Sequence, residues 1–136
     1  MVKQRYPEPT VGAMIFNPEG RLFLMKSHKW GDKYAIPGGH IELGETMINA
    51  LRREIKEETN LDIHNIQFLC FQEFIYDDVF WEKRHFIFFD YVCETHSKTV
   101  ILNDEAQEYL WVSLSEISVL PIEPYTMKTI QYYVKK

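Results

Sequence analysis

With 136 residues, the chain has the length of one domain, and we predict a single domain over residues 1–136. The net charge of −5 and the absence of a basic run argue against non-specific binding to nucleic acid and against attachment to an anionic membrane surface. The polar, proline-bearing start of the sequence predicts neither a signal peptide nor a membrane span, so we expect a cytoplasmic protein.

The first third of the chain predicts a β-hairpin followed by a loop. Residues 10–16 (TVGAMIF) and 21–26 (RLFLMK) have the composition of strands, and the sequence Asn-Pro-Glu-Gly between them is typical of a turn. Residues 27–33 then form a polar loop that contains Trp30, whose simplest role is loop packing. We therefore expect two neighbouring antiparallel strands ahead of the central segment.

A helix is predicted over residues 46–59, and the distribution of its side chains is unusual. At about 100° per residue, apolar side chains such as Met47 and Leu51 point into one sector, which should face the core. Glu54 and Glu58 project into the same sector. Carboxylates in a core-facing sector are costly unless they are paired or bound to a metal ion.

The spacing of the glutamates in this helix indicates a metal site. Glu54, Glu57 and Glu58 stand at i, i+3 and i+4, where like charges also repel one another. A divalent cation relieves both the burial and the repulsion, and carboxylate oxygens favour Mg²⁺ or Mn²⁺. The alternative is a solvated charged helix with ordinary Arg–Glu pairs.

Two long apolar runs follow the helix and predict a pair of strands. Residues 66–76 form the first run and residues 84–94 the second, and the short loop between them favours antiparallel pairing. The second run is apolar on both faces, which predicts burial on both faces. Cys70 and Cys93 fall in these runs, and we expect buried free thiols rather than a disulfide or a metal site.

The C-terminal part predicts one short strand and two helices. Residues 109–112 (YLWV) are strand-like, and Ser113 with Glu116 has the spacing of a capping box that opens a short helix. Two prolines end this helix, and residues 125–133 predict a terminal helix. Strands before and after one central helix, together with a terminal helix, predict a mixed sheet with helices on both faces.

The central segment also carries a sequence motif, G-x5-E-x7-R-E-U-x-E-E-x-G-U, where U is a bulky aliphatic residue. The matching residues are Gly39, Glu45, Arg53, Glu54, Ile55, Glu57, Glu58 and Leu61. This pattern is the Nudix box, and the chain resembles the Nudix hydrolase family. Asn60 stands at the last glycine of the box. Asparagine is the usual second choice for a left-handed residue at a helix end, so the backbone geometry should be kept.

The resemblance implies an α/β (α+β) fold, namely a Nudix-type α/β/α sandwich with a mixed β-sheet and the box as a loop–helix–loop. It implies hydrolysis of a pyrophosphate linked to a further moiety, with Mg²⁺ or Mn²⁺ as cofactor. Glu54, Glu57 and Glu58 would carry the cations, and the carbonyl of Gly39 would be an extra ligand. Arg53 would pair with a box glutamate and hold its side chain in place.

The remaining box residues and the general base follow from the same resemblance. Gly38 and Gly39 permit a turn that side chains would obstruct. Glu45 would open the helix and pair with Arg53. The general base in the family is either a box glutamate or an acid from a later loop. Glu105 is the candidate for that base or for a further metal ligand, whereas Glu108 is expected to be a solvated loop charge.

Two tyrosines are candidate substrate contacts. Tyr76 lies at the distance beyond the box where dinucleoside polyphosphate hydrolases often carry a tyrosine. In MutT-like enzymes a proline-containing segment supplies a side chain that meets the nucleobase, and Tyr125 would occupy that place, with packing of the terminal helix as its alternative role.

We therefore expect a monomeric or homodimeric MutT-like pyrophosphohydrolase that acts on a nucleoside di- or triphosphate or on a nucleoside diphosphate derivative. The alternatives are a dinucleoside polyphosphate hydrolase and a nucleotide-sensing module without turnover. The retained box glutamates favour catalysis over the sensing module. We expect neither a stable nucleic-acid complex nor membrane binding.

Overall fold

The structure is a computed structural model that describes residues 4–136. In this range the chain forms seven β-strands and two α-helices. In chain order they are β1 (Glu8–Phe16), β2 (Leu22–Ser27), β3 (Lys33–Ala35), β4 (Gly38–His40), α1 (Met47–Thr59), β5 (Ile63–Ile75), β6 (His85–Thr95), β7 (Glu108–Val112) and α2 (Pro124–Lys135). Two 3₁₀ helices lie in the connections, at His28–Trp30 and Leu114–Val119.

The strands form one mixed sheet, as predicted. Strand β1 runs parallel to β6 and antiparallel to β4, and β5 pairs with β6 in the predicted antiparallel sense. The predicted hairpin of β1 and β2 is formed at one position only, Phe16 opposite Leu22. The long partner of β2 is β7, which comes from the far end of the chain and pairs antiparallel with it.

Two apolar cores lie on the two faces of this sheet. Successive residues of a strand point to opposite faces, and β1 follows this rule, since Ala13 packs with α1 and Met14 packs on the other side. The core on the first side contains Leu51 and Ile55 of α1, and the core on the second contains Ile130 of α2. Helices on both faces give the predicted α/β/α arrangement. Neither helix of the described residues has the length and apolar character needed to cross a bilayer.

Helix α1 is fixed at both ends by residues of the box segment. Thr46 is its N-cap, and the threonine hydroxyl accepts a hydrogen bond from the backbone N–H of Asn49 at 3.1 Å. Asn60 ends the helix in the left-handed conformation with φ of 68°. The prediction that asparagine keeps the backbone geometry of the missing glycine is thus confirmed, because asparagine tolerates this conformation better than most residues.

Gly38 and Gly39, at the start of the box segment, form a strand rather than the predicted turn. Gly38 and Gly39 belong to β4 and pair with Gly12 and Val11 of β1. Neither has a positive φ, so space rather than backbone freedom requires glycine here. A Cβ on Gly38 would lie 2.0 Å from the carbonyl oxygen of Val11, and one on Gly39 would lie 2.3 Å from a carboxylate oxygen of Glu54.

Side-chain caps fix the starts of the two C-terminal helices. The capping box of Ser113 and Glu116 is present and opens the helix at Leu114–Val119, which is 3₁₀ in geometry. Helix α2 starts one residue earlier than predicted, at Pro124, because the side chain of Glu123 caps it and accepts from two backbone N–H groups. Both cysteines are free thiols, as predicted, and burial raises the pKa of Cys93 to about 12.

Candidate active site

A cavity of about 260 Å³ opens beside the C-terminal half of α1 and reaches the N-terminus of α2. One end is acidic and is lined by Gly38, Gly39, Glu54, Glu58 and Glu105. The other end has aromatic walls, formed by Trp30, Phe80, Phe86, Phe88 and Tyr125. The structure therefore brings most of the predicted site residues to one cavity.

Glu58 and Glu54 are the chemically unusual side chains of the acidic end. Glu58 is only 4% exposed, and one of its carboxylate oxygens accepts the backbone N–H of Gly38 at 3.0 Å. Burial raises the pKa of Glu58 well above its ordinary value, and the neighbouring charge of Glu54 raises it further. Burial also raises the pKa of Glu54, against the opposing pull of Arg53. A buried and a partly buried acid that repel each other are a site for a positive charge.

Arg53 is held in a network of carboxylates. Its guanidinium donates to both oxygens of Glu45, from Nε at 2.7 Å and from Nη2 at 2.9 Å, which is the expected pair in bidentate form. The same contact lowers the pKa of Glu45 to about 2. Nη1 donates to Glu54 and to Glu57, each at 3.0 Å. Arg53 thus fixes two of the three proposed metal ligands.

The carboxylate donors suit a hard divalent cation, although they are not arranged as a complete coordination site. Glu57 is half exposed and is turned onto Arg53. Within residues 4–136, no three His, Cys, Asp or Glu side chains form a ready metal cluster. The fit rests on the chemistry of the donors, because the carboxylates of the partly buried Glu54 and the buried Glu58 repel each other, and a cation would relieve that repulsion.

Glu105 lies at the rim of the acidic end, where its carboxylate is paired with an ammonium group. The Nζ of Lys29 contacts both oxygens of Glu105, at 3.0 and 3.2 Å. The charge of Glu105 also acts on Glu58 and contributes to its raised pKa. Glu108 lies on β7 instead and accepts a hydrogen bond from the hydroxyl of Tyr34.

The two candidate tyrosines differ in position. Tyr125 lines the cavity, packs its ring 4.8 Å from that of Phe74 and donates its hydroxyl to Asp77 at 2.9 Å. Tyr76 does not reach the cavity. It follows β5 with φ of 53°, is 58% exposed and turns its ring towards His85. The substrate contact by Tyr76 therefore stays a prediction that this cavity does not support.

A comparison with models of protein families identifies the family of this chain. Residues 6–133 match the NUDIX domain, which is nearly the whole chain. The chain belongs to the Nudix family. The nucleoside triphosphatase NudI of Salmonella paratyphi B is 32% identical to it over 104 residues, which make up 72% of this chain and 74% of that protein. The corresponding protein of Salmonella newport matches to the same extent.

Solved Nudix structures share the fold at lower identity. The MutT NUDIX hydrolase of Burkholderia pseudomallei superposes with a TM-score of 0.80 at 23% identity and covers 94% of this chain and 98% of its own. The NUDIX domain of Shewanella oneidensis NrtR, solved with ADP ribose, gives a TM-score of 0.79 at 16% identity and covers 97% and 89%. These likenesses confirm the predicted Nudix fold.

Several residues of this Nudix cavity were not singled out by the sequence. Asp90, Lys29 and Phe80 all line it. The alternation of Phe86, Phe88 and Asp90 along β6 placed these three on one face, but nothing in the sequence showed that the face lines a cavity. Lys29 and Phe80 come from loops whose contacts form only in the folded chain.

Asp90 should make the stability of the protein depend on pH. Burial raises the pKa of its carboxyl from 3.8 to about 6, so between these values the folded state binds more protons than the unfolded chain. This contribution is complete below about pH 4 and is lost as the pH rises through about 6, by roughly 3 kcal/mol for a shift of this size. Asp90→Asn should remove the slope, and urea unfolding of both proteins between about pH 4 and 8 measures it.

The difference between the two proteins is the informative quantity, because other acids titrate in both. We expect the variant to gain stability relative to the wild type as the pH rises. If the two free energies of unfolding stay parallel across the range, the buried carboxyl does not carry the raised pKa.

Proposed function

We propose that this Nudix hydrolase cleaves a pyrophosphate linkage in a nucleoside di- or triphosphate, or in a nucleoside diphosphate derivative, with Mg²⁺ or Mn²⁺. The observation that carries the proposal is the mutually repelling pair of the partly buried Glu54 and the buried Glu58 at the acidic end of the cavity. Such a pair is costly to the folded protein unless a cation binds it. The family membership and the similarity to a nucleoside triphosphatase support the same reaction.

The acidic end would hold the cofactor through the carboxylates of Glu54, Glu57 and Glu58 and through the carbonyl of Gly39. A bound divalent cation neutralises charge on the non-bridging phosphate oxygens and lowers the pKa of a bound water. Arg53 keeps the side chains of Glu54 and Glu57 in place by donating to both. These residues position charge where a polyphosphate would enter the site.

Glu105 would take a proton from the attacking water or add a ligand to the cation. It faces the same end of the cavity as Glu58. Its carboxylate oxygens can exchange Lys29 for another partner, because the ion pair is partly exposed to solvent. Lys29 would then turn its ammonium to the phosphates. Both roles need only side-chain rotation at the rim of the cavity.

The aromatic end would hold the nucleoside. Flat rings such as Trp30, Phe88 and Tyr125 line it, and aromatic stacking accepts many planar groups. The related NudI proteins are nucleoside triphosphatases, and the structural neighbour NrtR was solved with ADP ribose, so a nucleotide suits both comparisons. A nucleoside triphosphate is the substrate that we favour.

Tyr125 gives a testable contribution to substrate binding. Its ring lines the cavity and also packs on Phe74, so Tyr125→Ala should both raise KM and lower the melting temperature. Loss of one base–aromatic stack, ~1–3 kcal/mol, corresponds to roughly a five- to 150-fold rise in KM. The measurement is steady-state kinetics on the best substrate, together with thermal unfolding.

Tyr125→Phe is the matched control. It keeps the ring and removes only the hydroxyl that donates to Asp77, so KM should stay close to that of the wild type. An unchanged KM in Tyr125→Ala, with a lowered melting temperature, would assign Tyr125 to packing alone.

A panel of nucleotides tests the proposed function. Nucleoside triphosphates, nucleoside diphosphates, ADP-ribose and dinucleoside polyphosphates are each incubated with Mg²⁺, with Mn²⁺ or with a chelator, and the products are identified as orthophosphate, pyrophosphate or nucleoside monophosphate. We expect metal-dependent cleavage of a pyrophosphate linkage in at least one class. Absence of cleavage across the panel, or cleavage that survives the chelator, would overturn the proposal.

A further inference from the structure

Asp90 carries an unused hydrogen-bond acceptor at the aromatic end of the cavity. The side chain lines the cavity, although Asp90 is only 5% exposed. Its Oδ2 accepts the hydroxyl of Thr129 at 2.7 Å, and no hydrogen bond to Oδ1 is formed among residues 4–136. The side-chain amide of Gln72 is near the carboxyl and, like Thr129, holds its pKa down against the effect of burial. No side-chain oxygen in the described part of the chain is both fully buried and unpaired. Oδ1 is therefore partly accessible to solvent, and the space that it faces is the cavity. A buried acceptor in this position is open to a ligand.

The sheet keeps space free in front of this oxygen. Gly38, Gly12 and Asp90 lie side by side on three neighbouring strands. A Cβ on Gly12 would stand 3.1 Å from Oδ1 of Asp90, which is closer than ordinary contact. Because Gly12 has no side chain, the approach to Oδ1 stays open, and the same row of residues leads to Gly38 at the acidic end.

The walls around Asp90 suit a planar group. Phe86 and Phe88 precede it on the same face of β6, with their rings 5.5 Å apart. Trp30 and Phe80 meet at 4.6 Å from the two loops above the cavity, and Tyr125 packs 5.8 Å from Phe88. A flat ring between such walls would present its edge to the carboxylate.

We propose that Asp90 selects the nucleobase and favours bases that carry an exocyclic amino group over their carbonyl counterparts. This inference rests on the proposed function, since it takes the aromatic end as the nucleoside site. An amino group donates a hydrogen bond to Oδ1. A carbonyl oxygen in the same place would face a carboxylate oxygen, with repulsion and two unpaired acceptors. The carboxyl has a pKa of about 6, so it is ionised under mildly alkaline conditions.

The test is the binding of nucleoside monophosphates, which requires neither a metal ion nor turnover. Two pairs exchange an amino group for a carbonyl, namely CMP with UMP and AMP with IMP. A third pair, GMP with IMP, differs by the presence of an amino group at C2. Affinities are measured by calorimetry at about pH 8, where Asp90 is charged, for the wild type and for Asp90→Asn. We expect the wild type to prefer the amino member of at least one pair by about tenfold or more. Asp90→Asn should abolish or reverse that preference, because its amide can also donate.

Controls separate base selection from general damage. Asp62→Asn removes a charge from a side chain that is 80% exposed, and it should leave all three ratios unchanged. Gly12→Ala keeps Asp90 but places a methyl group in front of Oδ1, so it should weaken binding of the preferred member. Melting temperatures show whether each variant is folded.

The outcomes are distinct from those of the hydrolysis panel. If Asp90→Asn keeps every ratio within about twofold of the wild type, or if no monophosphate binds the wild type at millimolar concentration, the inference is overturned. If the panel shows no hydrolysis but the binding ratios still depend on Asp90, the proposed reaction is overturned. The selection of the base by Asp90 is then still supported.

Discussion

Replacement of Glu58 by glutamine is expected to lower kcat by about 10²-fold or more while it stabilises the metal-free protein. The carboxylate is a proposed cation ligand, and a neutral amide binds Mg²⁺ or Mn²⁺ more weakly. The fold should survive, since the amide oxygen of glutamine can still accept the N–H of Gly38. Glu57→Gln should lower kcat in the same way, because Glu57 belongs to the same ligand set.

The effect on stability follows from the direction of the pKa shift. The pKa of Glu58 is raised in the folded state by burial and by Glu54, so the ionised carboxylate destabilises the folded protein at neutral pH. Glutamine removes that charge, and the melting temperature without divalent ions should rise. Addition of Mg²⁺ should then stabilise the wild type more than the variant.

Glu94→Gln is the matched control for both measurements. Glu94 is half exposed on β6 and contacts only His64 among charged groups of the described residues, so kcat and the melting temperature should stay near those of the wild type. Near-normal turnover of Glu58→Gln at saturating Mg²⁺ would contradict the assignment of Glu58 as a metal ligand.

Gly38→Ala should cause the largest loss of stability among the glycine variants of the site. The added Cβ would lie 2.0 Å from the carbonyl oxygen of Val11 and 2.7 Å from the Cα of Gly12. Both are backbone atoms of the central strand, so β4 must move away from β1. Overpacking of this kind costs about 1–3 kcal/mol and occasionally more. Urea unfolding of the variant measures the loss.

Gly39→Ala is the informative partner of Gly38→Ala. The atoms nearest to its Cβ would be those of the Glu54 carboxylate, at 2.3 to 2.7 Å, and a side chain can turn away where a backbone cannot. We expect Gly39→Ala to fold with nearly normal stability and to lose activity, since Glu54 is displaced. Equal stability of the two variants would show that β4 does not pack against β1 as described.

The sequence predicted those parts of the site that are local in the chain. The spacing of glutamates on one helix indicated a buried acidic cluster before any contact was known, because helical periodicity fixes which side chains share a sector. The left-handed Asn60 and the cap at Ser113 were predictable for the same reason, since each depends on a few neighbouring residues.

The parts that the sequence left open depend on contacts between distant segments. Gly38 was predicted to lie in a turn, because a glycine pair signals turns more often than a strand that must approach another backbone closely. The pairing of β2 with β7 joins strands far apart in the chain. The role of Asp90 could not be predicted for the same reason, since only the folded sheet brings its Oδ1 close to Gly12.

Binding of Mn²⁺ to the nucleotide-free protein is the sharpest test of the proposed cation site, because it does not require the substrate to be known. Titration followed by electron paramagnetic resonance counts bound ions for the wild type, for Glu57→Gln and Glu58→Gln, and for Glu94→Gln. We expect at least one bound ion per chain in the wild type and in Glu94→Gln, with affinity reduced about tenfold or more in the other two variants. Equal affinity in all four proteins, or no binding to the wild type, would contradict a cation site built from these glutamates.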